Sequence, residues 1–401
     1  MSTTAAAQAR PVAASNPVIT WDVHAQTAIY EVARQSPTAA ARSYAIVQGA
    51  VYDAVNAIAG TPYEPYLIAP RARSGDSTPA AVATAAYRVL LWLFPKQADS
   101  LRAQYRESLD AIPSGRPKRG GIAVGEATAE AMIDARHDDG AFSDAKWPVG
   151  TEPGHWRPTP PEYLQVGAWF ATLEPFVVDP GDYRSPGPPA LSSAAWARGM
   201  NEVKALGSAT STVRTPDQTE AATWWDDPRQ VEWSILRQLA ETHRLSTLQT
   251  ARMFAMVDVA AADSLIACYK QKKHWHFWRP VTAIPLADTD GNPATDADPA
   301  WTPLRTTAPS AEYPSGHACY NTAFTTALRK FFGRDDVSFS AFSSDSGTTR
   351  HYDSLSEART ELLQARVWAG VHYRFASADG YQLGKAVTRD VLDRAFGPRD
   401  T

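Results

Sequence analysis

The sequence predicts an all-α fold, a single mainly helical domain, on three grounds. Apolar residues recur at three- and four-residue spacing in one segment after another. Helix-start signatures are frequent: Thr215-Pro216-Asp217-Gln218, Ser246-Thr247-Leu248-Gln249 and Ser354-Leu355-Ser356-Glu357 all read as capping boxes. None of the first five elements has the alternation of a strand.

Residues 1–16, rich in Ala, Ser and Thr, read as a flexible tail, and residues 17–401 as the domain. Trp21 to Gln35 is a first helix, stopped by Ser36-Pro37. Pro37 to Ala59 is a second, closed by Gly60, with Ile46, Val47, Ala50, Val51, Ala54, Val55 and Ile58 on helical spacing. Its small side chains imply close helix packing, so its Asp53 and Asn56 are read as structural. Further helices run from Ser77-Thr78-Pro79 to Phe94-Pro95, from Lys96 to Ile112 and from Pro117 to Asp139.

Residues 141–190 then change texture, with ten prolines punctuated by Trp147, Trp156 and Trp169. A flexible linker is Gly/Ser-rich and poor in aromatics, so this is an ordered strap over the helices. It reads either as the wall of a substrate channel or as a surface strap with no part in chemistry. Helices resume with Ser192 to Leu206, the Thr215 box, Asp227-Pro228 to Thr242, and a long apolar helix from Ser246. The loop Ala287 to Tyr313 crowds Asp288, Asp290, Asn292, Asp296 and Asp298. Their spacing misses a calcium-binding EF-hand loop, which leaves turn chemistry. A helix from Ala318 to Phe332 follows, then one from Ser354, a break near Gly370, and a last helix capped by Ser377 and running to Phe396.

Composition excludes several classes. The chain is 44% hydrophobic and 20% charged with a net charge of -4, which gives no footprint for nucleic acid or for a polybasic membrane anchor. No stretch approaches the roughly 20 apolar residues of a membrane span, and Leu90 to Phe94 is the greasiest run. The N-terminus lacks the apolar core of a signal peptide. The chain therefore reads as soluble, either cytoplasmic or exported with a leader already trimmed. Cys268 and Cys319 read as buried small hydrophobes rather than a disulfide framework. A homo-oligomer is compatible with all of this.

The chemistry gathers in three stretches of the last third. Lys272 and Arg279 stand seven apart, nearly two helical turns, with Trp275, Phe277 and Trp278 between them; both cations face one side and are carried toward a buried place, where they need an anionic partner. His274 and His276 in that interval are given no role. Tyr313-Pro314-Ser315-Gly316-His317 precedes a helix whose free N–H groups and dipole favour an anion. Ser315 alone fits a helix N-cap, Gly316 allows close approach to the backbone, and His317 can give or take a proton. Arg366 and His372 are six apart, about 120° round a continuous helix, so either the long arginine reaches round or the helix breaks near Gly370, and the break is favoured. Guanidinium forks, N–H donors and a His able to bond a central atom suit a tetrahedral oxyanion.

Together, Lys-x6-Arg-Pro, Pro-Ser-Gly-His and Arg-x5-His resemble the family that joins vanadium-dependent haloperoxidases to type 2 phosphatidic acid phosphatases. Tyr44 to Ile58, Gly154-His155-Trp156-Arg157-Pro158-Thr159-Pro160-Pro161 and Asn201-Glu202-Val203-Lys204 extend the likeness to bacterial haloperoxidase-type members over nearly the whole chain. The resemblance implies helical bundles around the site and an oxyanion-binding core at residues 246–397. It assigns Lys272, Arg279, Ser315, Gly316 and Arg366 to hold vanadate or phosphate. His372 becomes the residue bonded to vanadium, or the nucleophile toward phosphorus, and His317 the acid/base. Many members carry Asp four residues after the ligand His to orient its ring; here Ala376 stands there, with Asp379 nearby. Fungal chloroperoxidases carry Trp and Phe where this chain has Tyr269 and Ser310, which are read as pocket-lining. His351 is read as structural or pocket-lining.

The implied function is a vanadate-dependent haloperoxidase that uses hydrogen peroxide and halide to halogenate an organic acceptor. The alternative is a phosphatase or a prenyl-diphosphate hydrolase or lyase with no cofactor, in which the substrate's phosphate occupies the same site. A binding protein without turnover is the third reading.

Overall fold

Helices make up most of the described residues, and among these a single β-hairpin interrupts them. The computed structural model describes residues 16–399, so residues 1–15 of the expected tail lie outside the described residues. Asn16 is not tail. Its side chain caps the first helix by accepting from Val18 N and donates to Thr250 Oγ1 at 2.8 Å.

The helices are α1 Pro17–Gln26 (continued by a wider turn, Thr27–Val32), α2 Pro37–Ile58, α3 Thr78–Leu93, α4 Ala98–Asp110, α5 Arg116–Arg136 and α6 Ala194–Gly207. They continue with α7 Pro216–Trp224, α8 Arg229–Thr242, α9 Thr247–Trp275, α10 Pro280–Ala283, α11 Gly316–Phe332, α12 Leu355–Trp368 and α13 Arg374–Arg394. Local chemistry sets many of the starts. Ser36, Ser77 and Ser193 each accept a backbone N–H of the first turn, and Thr215 and Ser246 form reciprocal boxes with Gln218 and Gln249.

Two groups of helices pack side by side. One is α2, α3 and α5; the other is α9, α11 and α13, and α2 lies against α9 to join them. Glycines set the closest approaches in both. A Cβ at Gly121 or Gly125 of α5 would run into Ser77 O or Ala81 O of α3, and one at Gly380 or Gly384 of α13 into Ser315 O or Cys319 O. The main apolar core draws on residues from Val18 to Phe396. Asp53 accepts the N–H groups of Tyr66, Leu67 and Ile68, and Asn56 pairs with the Tyr63 backbone, so both hold the loop after α2, as read. Both cysteines are buried and free.

Several expectations are corrected. Strands β1 Phe339–Ser343 and β2 Thr348–Tyr352 form an antiparallel hairpin not anticipated from the sequence, with Ser340 opposite His351. His351 is exposed there, between Ser340 and Asp353, away from the site described below. Helix α9 stops at Trp275 and does not run on to Arg279, because His276 adopts a left-handed conformation (φ 32°) that ends it. Ser354 caps α12, but Glu357 reaches Asp353 N instead of closing the box. The last helix starts at Arg374 with Tyr373 as its cap, so Ser377 lies buried inside it.

Gly370 makes the α12–α13 turn at φ 78°, and a Cβ there would meet Gly207 O at 2.3 Å and Pro303 Cβ at 2.9 Å. Replacing Gly370 by Ala is expected to destabilise the protein by about 1–3 kcal/mol, read by chemical denaturation, since both backbone strain and a backbone clash must be absorbed.

Candidate active site

A cavity of about 240 Å³ opens where α9, α11 and the α12–α13 turn converge. Its wall includes Tyr269, Lys272, Arg279, Ser310, Gly316, His317, Arg366 and His372. Of the residues assigned to the oxyanion, the acid/base role or the pocket, Ser315 is off that wall, as is His351. Ser315 is fully buried, and its hydroxyl caps α11 by accepting from Ala318 N.

Each cation arrives by a different device. Lys272 sits in the last turn of α9 and donates to the carbonyls of Ala311 (2.7 Å) and Glu312 (2.8 Å), which leaves one of its three N–H bonds for the cavity. Arg279 lies beyond the α9 stop, on a turn clamped by the strap. Trp156 N donates to His276 O at 2.7 Å, and Trp278 N donates to Gly154 O at 3.0 Å. Its guanidinium donates to Ser310 O, Ser310 Oγ and Val371 O. Arg366 ends α12, donates to Trp225 O and pairs loosely with Asp226 at 3.6 Å. Its Nε is buried with no partner.

The two histidines have assigned protons. Arg279 can only donate, so its 3.2 Å contact to His372 Nε2 makes that nitrogen the acceptor. The proton therefore sits on Nδ1 and is donated to Glu312 Oε1 at 2.8 Å. Glu312 also accepts Tyr373 N at 3.0 Å, which fixes the turn and the ring together. His317 Nε2 donates to the Asp226 carbonyl at 3.0 Å, leaving Nδ1 as its acceptor. The break near Gly370 brings Arg366 and His372 together, with His372 N donating to Arg366 O.

Burial dominates the electrostatics. It drives His372 well below the ordinary imidazole range, helped by Arg279, Lys272 and Arg366, and takes His317 down to about 3 with Arg366 adding repulsion. Desolvation and the like charge of Arg279 bring Lys272 down to about 8. The Glu312 carboxyl is pushed up to about 7 by burial against the downward pull of Arg279 and Lys272. Lys272, Arg279 and Arg366 thus face the cavity with Glu312 and Asp226 as nearby carboxylates, Asp226 being shared with Arg305; Asp227 and Arg229 also line it but neutralise each other. Charge and donors are left over for an anion.

Glu312 and Asp226 were missed in the sequence. The signal for Glu312 was present: it is the one charged residue between Arg305 and His317. Asp379, considered as the ring-orienting acid, instead accepts the Tyr313 hydroxyl at 2.7 Å. The loop aspartates serve turns, with Asp290 accepting Asn292 N and Trp196 Nε1.

A family profile, the VCPO second helical-bundle domain, matches residues 252–399. Over those residues the chain is similar to the second helical bundle of that family. It is 27% identical over 300 residues to the vanadium chloroperoxidase of Curvularia inaequalis, in an alignment covering 58% of this chain and 48% of that protein; the chain thus spans about half the length of this relative. A bacterial vanadium-dependent iodoperoxidase superposes with a TM-score of 0.82 at 22% identity, covering 98% of this chain and 100% of that one. A bacterial vanadium-dependent chloroperoxidase in its holo form superposes at 0.70 with 18% identity, covering 91% and 95%. At these identities the two structures establish a shared haloperoxidase fold. Among the described residues, no helix is long and apolar enough to cross a membrane.

Two outcomes test the site. Glu312→Gln keeps an acceptor for His372 Nδ1 but removes the charge, and is expected to weaken oxyanion binding about 10–100-fold with the fold intact, measured by calorimetric titration with orthovanadate. Binding of an anion stabilises the Lys272 ammonium, so binding takes up a proton on the alkaline side. Orthophosphate affinity is accordingly expected to fall as pH rises through about 8, more steeply in the wild type than in Lys272→Ala.

Proposed function

We propose that this protein is a vanadate-dependent haloperoxidase. The observation that carries the reading is the pairing of a neutral His372, its Nε2 lone pair held at the cavity, with three buried cations that lack sufficient counter-charge. The residues fit the cofactor. The unpartnered Arg366 Nε, the third Lys272 N–H and the remaining Arg279 N–H are donors suited to oxyanion oxygens. Gly316 keeps the floor open: a Cβ there would stand at ordinary contact distance from Lys272, Tyr269 and Leu265, inside the space an oxyanion needs.

When bound, vanadate supplies a Lewis-acidic centre that activates hydrogen peroxide without changing its own oxidation state. The chain does the rest. Lys272, Arg279 and Arg366 would hold the oxygens and offset their charge, and His372 Nε2 would bond the central atom. Glu312 keeps the His372 proton on Nδ1, so that the Nε2 lone pair, which accepts from Arg279 in this structure, would be free to bond once that N–H turns to the oxyanion. His317 Nδ1 accepts a proton from incoming peroxide and returns it as water leaves. The net reaction is hydrogen peroxide, halide and one proton giving hypohalous acid and water. The hypohalous acid, or its bound equivalent, then halogenates the acceptor.

The same neutral His372 suits attack on phosphorus, with His317 protonating the leaving group, so phosphate-ester hydrolysis is the competing reading. One assay separates them. Apo-protein incubated with orthovanadate, peroxide and bromide is expected to brominate a phenol, and protein without vanadate to do neither this nor the hydrolysis of p-nitrophenyl phosphate or farnesyl diphosphate. Phosphate release without any halogenation reverses the conclusion. His372→Ala is expected to lower bromination by at least about 100-fold.

A further inference from the structure

The haloperoxidase reading leaves open where the organic acceptor binds. The cavity of about 240 Å³ lies below the roughly 300–1,000 Å³ of pockets that enclose drug-sized ligands, and the oxyanion takes part of it. A sizeable acceptor must therefore rest at the mouth.

The strap supplies a surface there. Among the described residues, five of the ten exposed large apolar side chains fall within residues 142–166: Phe142, Val149, Tyr163, Leu164 and Val166. None of these lines the cavity, but Val166 borders it, with Tyr163 and Leu164 just before it in the chain. Val166 N donates to Pro309 O at 3.0 Å, and Pro309 lies between Ala308 and Ser310, which both line the cavity. Next in the chain, Gly167 packs so closely that a Cβ would meet Tyr269 at 3.2 Å and Thr38 at 3.5 Å, again two lining residues. Trp147 Nε1 donates to Val166 O at 2.8 Å and pins this edge from beneath. Yet Tyr163 is 64% exposed, Leu164 49% and Val166 39%. The exposed lining residues, Pro37, Thr306 and Ala308, carry no charge; the half-buried Asp226, Asp227 and Arg229 also line the cavity, and Asp227 and Arg229 are paired with each other. Glu162, exposed and next to Tyr163 in the chain, disfavours anions here.

We propose that the strap edge Tyr163-Leu164-Val166 is the docking surface for an uncharged, apolar aromatic acceptor whose reactive end reaches into the cavity. The surface selects the acceptor by burying its apolar part, while the cations inside act only on the oxyanion. This edge of the strap then determines acceptor specificity and has no share in peroxide or halide handling, whereas Gly154 and Trp156, elsewhere on the strap, hold the turn of Arg279.

The test rests on this proposal's own binding step. In the absence of vanadate, peroxide and halide, 4-pentylphenol is titrated into full-length protein by calorimetry, with 4-hydroxybenzoate as the charged counterpart. Wild type is expected to bind 4-pentylphenol more tightly than 4-hydroxybenzoate, and the exposed double variant Tyr163→Ser/Leu164→Ser to bind 4-pentylphenol tenfold or more weakly. With the loaded enzyme, the variant is expected to raise KM for 4-pentylphenol and leave KM for peroxide unchanged. Equal binding by variant and wild type overturns the proposal, as does a variant whose only change is its oligomeric mass in light scattering, which would mark the edge as a self-association face. If 4-pentylphenol binds at the strap but no halogenation occurs, the haloperoxidase reading fails and the docking surface stands.

Discussion

Like charges confined without water set the terms for this structure. Lys272, Arg279 and Arg366 are each almost wholly buried, and each loses hydration that only hydrogen bonds and counter-charge can replace. The chain supplies the bonds generously and the counter-charge sparingly. Carbonyls of Ser310, Ala311, Glu312, Val371 and Trp225 all point at cations. These carbonyls come from loops and helix ends, the places where backbone acceptors are free. That is why three helix termini and one long loop meet here, and why the cavity sits at their junction.

Local chemistry was the legible part. Capping residues at Ser36, Ser77, Thr215 and Ser246 act on N–H groups two or three residues away, so a short stretch of sequence contains the whole interaction. The basic residues and histidines of the site were legible for a related reason, since their types and spacings are tied to one chemistry. Partners distant in the chain were not. The Glu312–His372 contact spans 60 residues, and nothing on either side of Glu312 specifies its target. The search for the orienting acid followed helical spacing to Ala376 and Asp379, but the acid came from another loop. The end of α9 was hidden as well, because His276 takes a left-handed conformation in which glycine is the expected residue. The hairpin at 339–352 was missed because strands of five residues carry too little alternation to stand out.

The strap from 141 to 190 links these scales. Its prolines limit the conformations it can lose on ordering, and its tryptophans anchor it: Trp156 is buried and Trp147 packs near Tyr269. Through Gly154 and Trp156 it also fixes the turn that aims Arg279. A segment that looks peripheral in sequence therefore helps position the cation nearest His372.

The glycine at 380 has a consequence beyond helix packing. A methyl group there would strike Ser315 O at 2.7 Å and Ala318 Cβ at 2.9 Å, and Ser315 immediately precedes the open floor at Gly316. The depth of the anion seat is thus gauged from behind by a residue on the far side of the loop. Added bulk at this point of α13 would lift that floor, and under the proposed function the size of oxyanion admitted would be set by a position that never touches it.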